Sequence, residues 1–241
     1  MGLSFLALVQ QACSEMNITA PSSCIGNQDQ QVIQLVALAN AEGTECASTE
    51  TAQGAWPVLR KTYTFNFVDG QQSYALPTDY DFMVYDTMWD TTQHWRVIGP
   101  VNPTGWNTLQ YGQITAAAPF YRFKVEDNLL SIFPTPNSTD TIAFTYVSTG
   151  WCKSISGTPQ SSWMADTDTY VLDDRLFVLG LKARFKQAKG LDYSAELALY
   201  NKRLDWAKAN SGVAKTLNLS TGGEGMPWLS WRNLPDGNYG I

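Results

Sequence analysis

The chain has 241 residues and a net charge of −6, with 44% hydrophobic, 12% aromatic and only 16% charged residues. That length can bury one large core or two small ones, which excludes a largely disordered chain, and the acidic balance excludes a protein that grips nucleic acid through a broad basic face. A charged share below the usual quarter or so, beside 9 Trp and 11 Tyr, points to a surface partly covered by partners.

The apolar opening "LSFLALV" has no basic leader region and is far shorter than the ~20 residues that span a membrane, so neither a secretion signal nor a transmembrane segment is expected. From Leu3 to about Met16 the pattern places Phe5, Leu8, Val9 and Ala12 on one helical face, with Ser4 as N-cap and Leu3 and Leu8 as a hydrophobic staple. After the loop "NITAPSSCIGN", the run "QDQQVIQLVALANAEGTECAS" repeats apolar residues at Val32, Leu35, Val36, Ala39 and Cys46, with Asn27 or Asp29 as cap. Its small residues Ala37, Ala39, Ala41 and Gly43 allow close helix packing.

From about Trp56 the pattern changes to alternation. "KTYTFNFV" puts Tyr63, Phe65 and Phe67 on one side, and "DGQQ" before "SYALP" predicts a hairpin between these two segments. "DFMVYDTMW" and "RVIG" form a second pair across "DTTQH", and Asn102 with Pro103 opens a short helix in "NPTGWNTLQ". "FYRFKV", "EDN" and "LLSIFP" make a further hairpin, and "TIAFTYVS" adds a strand.

Helices return after "TGWCKSISGTPQSSWMADTD". The third long helix is expected over 169–189, with Asp166, Asp168, Asp173 and Asp174 near its start, Lys182, Arg184, Lys186 and Lys189 toward its end, and Gly190 as the stop. Tyr170, Val171, Leu172, Leu176, Phe177, Val178, Leu179, Leu181 and Phe185 cover more than one face of it, which suits a helix central to a bundle or sandwiched between subunits. Leu176, Phe177, Gly180, Leu181 and Phe185 are the candidate subunit-interface residues. The last helix carries Tyr193, Leu197, Tyr200, Leu204 and Ala207 on one stripe, with Asp192 or Ser194 as cap and Gly212 after its end. Beyond it the Gly- and Pro-rich tail holds Met226, Trp228, Leu229, Trp231, Leu234 and Tyr239, side chains that are costly to leave in water.

The fold class expected is α+β: a helical bundle of two N-terminal and two C-terminal helices (1–55 and 151–210), an inserted antiparallel β-sandwich or barrel (56–150), and an extended C-terminal arm (211–241).

The chemistry-bearing residues form no recognisable active site. Cys13, Cys24, Cys46 and Cys152 show no C-x-x-C spacing and His94 is the only histidine, so no zinc site is expected; isolated buried thiols are the expectation, although spacing does not decide on disulfides. The aspartate-rich stretch lacks the sixth-position Gly and twelfth-position Glu of an EF-hand loop. No G-x-S-x-G, Walker or dinucleotide motif occurs. Asp79 with Asp81, or Glu126 with Asp127, are the pairs open to a glycosidase reading, and Trp89, Trp95 and Trp106 are the aromatics open to sugar stacking. Lys182, Lys186 and Lys189 share a helix face that could meet phosphate.

"FYRFKVEDNLLSIFPTPNSTDTIAFTYVSTGW", the Asp-rich helix with "KARFKQAKGLDYSAELALYNKRL", and the opening "QQACSEMNITAPSSCIGNQDQQVIQLVALANAEG" together resemble tailed-phage head-to-tail adaptor (connector) proteins of the tail tubular protein A type, over about residues 1–210. The resemblance implies a structural virion protein at the head-tail interface, made in the host bacterial cytoplasm. It implies a ring of usually twelve copies under the portal, a β domain facing outward or toward a downstream nozzle or tube protein, and genomic DNA passing through the lumen without specific binding, which leaves Lys182, Lys186 and Lys189 as the lumen-facing candidates. It also implies that the arm docks onto the portal or a neighbouring subunit, and it carries no catalytic residue, cofactor or metal. The alternatives are a carbohydrate-binding or glycan-processing phage protein using the aromatic β segment, and a tail nozzle or tube subunit.

Overall fold

The computed structural model describes residues 2–49, 54–112 and 120–211. Helix α1 spans Phe5–Glu15, capped by Ser4, whose Oγ accepts from the Ala7 N–H at 3.3 Å, and it buries Phe5, Leu8, Val9, Ala12 and Cys13. Helix α2, Gln30–Ser48, starts from Asp29, whose carboxylate accepts from the Gln31 N–H at 2.8 Å. Two of its small residues, Ala39 and Gly43, are buried, while Ala37 and Ala41 face outward. Gly43 is where the Trp151 ring enters: a Cβ there would lie 2.5 Å from ring carbons.

The β segment begins after a 3₁₀ turn at Pro57–Leu59 with β1 (Arg60–Asn66), followed by β2 (Ser73–Ala75), β3 (Tyr80–Met83), β4 (Trp89–Asp90) and β5 (Trp95–Arg96). Helix α3 (Pro103–Tyr111) comes next, then β6 (Arg122–Glu126), β7 (Leu129–Phe133) and β8 (Thr141–Ser148). The expected hairpin between "KTYTFNFV" and "SYALP" does not form. β1 pairs antiparallel with β8, from Arg60 opposite Val147 to Asn66 opposite Thr141, and β2 pairs with β7. β8 is the central strand, with β1 on one side and β3 and β4 sharing the other.

The β4–β5 pair, the β6–β7 hairpin and the Asn102-capped α3 form as the sequence suggests. Asp127 and Asn128 take φ of 51° and 57° at the β6–β7 turn, the left-handed pair that a two-residue hairpin requires. Phe67, Tyr74, Met88, Phe123, Leu130, Ile132, Ile142 and Phe144 fill the core of this part. Neither the five-stranded sheet nor the three-stranded β2-β7-β6 sheet closes on itself, so the barrel alternative is corrected to open antiparallel sheets.

A small third sheet, β9 (Cys152–Lys153), β10 (Pro159–Gln160) and β11 (Thr169–Tyr170), leads to α4 (Asp174–Ala188) and α5 (Ser194–Asn210). The third long helix therefore starts five residues later than 169, because Thr169 and Tyr170 pair with Lys153 and Cys152. Helix α4 packs against α1, α2 and α5, which is why apolar residues surround it. Neither Asp192 nor Ser194 occupies the N-cap of α5; Tyr193 does, without a side-chain bond, while the Asp192 carboxylate accepts from the Ser194 N–H at 3.0 Å. A cluster of Cys46, Trp56, Leu59, Val147, Leu176 and Ala207, with Tyr200 and Leu204 against it, joins helices to β8.

Candidate functional site

The four aspartates that crowd the start of α4 each serve backbone N–H groups. Asp166 accepts from Cys24 and Ile25, the latter at 2.8 Å, and so pins the α1–α2 loop. Asp168 accepts from Met164 and Ala165, both at 2.8 Å. Asp173 caps α4 through the Leu176 N–H at 2.8 Å, and Asp174 accepts from the Leu3 N–H at 2.9 Å. Among the described residues no group of three or more His, Cys, Asp or Glu is placed to hold a metal.

Cation–carboxylate pairs then tie the helices together. Glu15 of α1 accepts from Arg175 and, at 2.9 Å, from Lys182. Burial pushes the Glu15 carboxyl up, but Arg175, Lys182 and Gln11 outweigh it and hold it at about 2. Glu42 of α2, only 1% exposed, accepts from Arg184 Nε at 2.6 Å. Its burial outweighs Arg184 and raises its carboxyl above the ordinary value. Glu42 Oε1 lies 2.1 Å from where a Cβ of Gly180 would stand, so that glycine admits a buried carboxylate between α2 and α4. A cleft of about 300 Å³ lies beside it, lined by Glu45, Arg184, Tyr193 and Tyr200 among others.

The ring-interface candidates Leu176, Phe177, Leu181 and Phe185 are at most 5% exposed and Gly180 is buried with them, so all five lie inside the chain's own packing. Of the three candidate lumen lysines, Lys182 is 9% exposed and paired with Glu15, and Lys186 pairs with Glu196 at 2.5 Å. Lys189 lies exposed at the end of α4, its Nζ 5.3 Å from the Phe185 ring centre. The arm candidates Met226, Trp228, Leu229, Trp231, Leu234 and Tyr239 lie outside the described residues.

The residues open to sugar chemistry do not converge. Trp106 is 2% exposed, whereas Trp89 and Trp95 are partly exposed on adjacent strands. Asp79 is held by Lys61, Tyr146 and Ser148, and Glu126 pairs with Lys124. His94 occupies the turn between β4 and β5 with φ of 60°. All four cysteines are buried and free, and burial pushes the Cys24, Cys46 and Cys152 thiols up to about 12, which suits packing and not nucleophilic chemistry.

What the outer surface does offer is a groove of about 370 Å³ between α4 and α5, lined by Arg175, Leu179, Leu199, Lys202, Arg203 and Trp206. Sequence reasoning missed it, although a signal existed. Leu199 and Trp206 are seven residues apart and share a face of α5 distinct from the inward one of Tyr200, Leu204 and Ala207. A helix apolar on two faces carries more apolar surface than its one packed face buries.

The described residues thus present helices tied by internal ion pairs, open antiparallel sheets and an outer groove with apolar residues in its lining. The chain belongs to the SU10 adaptor protein family, whose model it matches over residues 3–220. It is a structural adaptor of bacteriophage, a virion component that contacts other head or tail proteins. The match takes in nearly all of the stretch that carries the resemblance and stops short of the last twenty-one residues. No curated protein shows a significant match to the chain. Among the described residues no helix is long and apolar enough to cross a membrane.

Proposed function

We propose that this adaptor forms a ring, with twelve copies as the expected number, between the portal and the tail of the virion, with genomic DNA passing through its lumen. Membership of the adaptor family over residues 3–220 is the observation that carries this reading. The net charge of −6 supports it, because a wall poor in unpaired cations does not trap a passing duplex, whose binding depends on Lys and Arg neutralising phosphates. Lys189, which caps the end of α4, is the lysine that this reading keeps for the lumen, since Lys182 and Lys186 are engaged by Glu15 and Glu196.

The C-terminal segment 211–241 latches the portal through Trp228, Leu229, Trp231 and Leu234, with Met226 and Tyr239 flanking them. Such aromatic anchors gain several kcal/mol or so on burial, and repetition around a ring multiplies the contact. The β segment faces the downstream nozzle or tube protein. Light scattering and negative-stain microscopy with and without portal test the reading: rings that appear on, or bind to, portal support it. A chain that stays monomeric and never binds portal rules it out.

A further inference from the structure

Leu199 and Trp206 are each 53% exposed, yet their surroundings are already ordered. Between them Arg203 is fixed by Asp173, which accepts from its Nε at 3.1 Å and its Nη2 at 2.6 Å, and the guanidinium lies over the Trp206 ring at 4.1 Å. Leu179, 4% exposed, forms the floor. A groove whose side chains are immobilised beforehand loses little entropy when it is filled.

A second surface of the same chain complements it. The outer face of α2 presents Ile33, Ala37 and Ala41 to solvent, followed one turn on by Thr44 and then Ser48, with no charged side chain along that line. Solvent-facing helix surfaces normally carry charges. Small residues at this spacing leave a shallow trough into which large protruding side chains pack. The two surfaces also differ in sign. The chain has five acidic residues and no Lys or Arg before Arg60, whereas the α4–α5 groove is lined by Arg175, Lys202 and Arg203, of which Arg175 pairs with Glu15 and Arg203 with Asp173, so that Lys202 carries the difference. Asp29 lies beside one end of the α2 face and Glu45, its side chain 73% exposed, beside the other.

We infer that the α4–α5 groove of one copy receives the outer face of α2 from the next copy, with Trp206 and Leu199 seated along Ala37 and Ala41, and Lys202 near Glu45. The contact joins two different surfaces, so it is heterologous and propagates in one direction until it closes. It rests on the ring reading and names the surfaces that build the ring.

Two single-cysteine chains test it, because the four native thiols are buried. Leu199→Cys and Ala37→Cys chains, mixed under assembly conditions with portal and treated with a short bis-maleimide, are expected to give cross-linked dimers, and neither chain alone is expected to do so. In parallel, Trp206→Ala and Ala41→Lys should raise the concentration for half-assembly by roughly tenfold or more, with unchanged melting of the free chain. Cross-linking of Leu199→Cys chains to one another, or to a cysteine placed within 212–241, overturns the proposal, as does wild-type assembly by both variants. In each of those cases rings still form and the ring reading stands; absence of rings from the wild-type chain defeats both.

Discussion

Asp173 holds Arg203 through both carboxylate oxygens while its Oδ1 also caps α4 at the Leu176 N–H. One side chain thus starts a helix and fixes the next helix against it. Burial pushes its carboxyl up, but Arg203 and the Leu176 N–H outweigh this and lower it.

Replacing Asp173 with Ala removes a cap and an ion pair together and is expected to cost about 1–3 kcal/mol. Asp173→Asn keeps an acceptor for the cap and should cost less. Arg203→Ala, which leaves the cap intact, should cost under about 1 kcal/mol. Urea denaturation of the three variants checks the order.

Gly180→Ala should destabilise although alanine is the better helix former by roughly 1 kcal/mol. The new Cβ would meet Glu42 Oε1 at 2.1 Å, and crowding of that kind costs about 1–3 kcal/mol. In a Glu42→Ala background the same substitution should become neutral or stabilising. A double-mutant cycle measured by thermal melting therefore isolates the contact.

Acid should weaken the tie between α1 and α4. Glu15 has a folded value of about 2 against an ordinary 4.5, so between those values the unfolded chain binds more protons. Its contribution is full above the ordinary value and is lost as pH falls through that window. Glu42, raised by burial, has the opposite sign: its charged form opposes folding, and protonation relieves it. Glu15→Gln should flatten the fall in stability between neutral pH and about pH 3, whereas an unchanged slope would locate the acid sensitivity elsewhere.

Divalent cations should leave the melting temperature unchanged, as should a chelator. The aspartates before and at the start of α4 already accept from Cys24, Ala165, Leu176 and Leu3 N–H groups. Calorimetry with Ca²⁺, Mg²⁺ or EDTA tests this, and a saturable rise in melting temperature would show an ion at the stretch.

Deleting the residues after Ser220 should leave melting of the free chain unaltered and abolish portal attachment. Truncated chains that enter virions at the normal level would place the latch elsewhere.

Local chemistry was legible where one segment contains its own answer. Ser4 and Asn102 are caps because an oxygen-bearing side chain precedes a helical period, and Asp127-Asn128 is a turn because both residues tolerate positive φ. Strand partners were not legible. The alternation in β1 fixes which side chains face inward but not the strand opposite, and its partner β8 lies some eighty residues away. The run from Tyr170 to Leu172 read as helix because an apolar run alone does not separate a buried strand from a helix start. The ion pairs of Glu15, Glu42 and Arg203 join residues far apart in the chain, so no local pattern announces them. The second stripe on α5 was written in the sequence at Leu199 and Trp206, hidden only by the stronger stripe facing inward.

Trp151 follows β8 closely and its ring fills the notch that Gly43 leaves in α2. Trp163 and Tyr170 both stand edge-on to it, at 5.2 Å and 6.2 Å. A rigid bicyclic plug with no slack on either side works as a coupling pin: a load applied to the sheet reaches the helix as displacement, because packed interiors transmit strain instead of absorbing it. The stiffness of that joint between sheet and helix is a mechanical property written into one tryptophan and one missing methyl group.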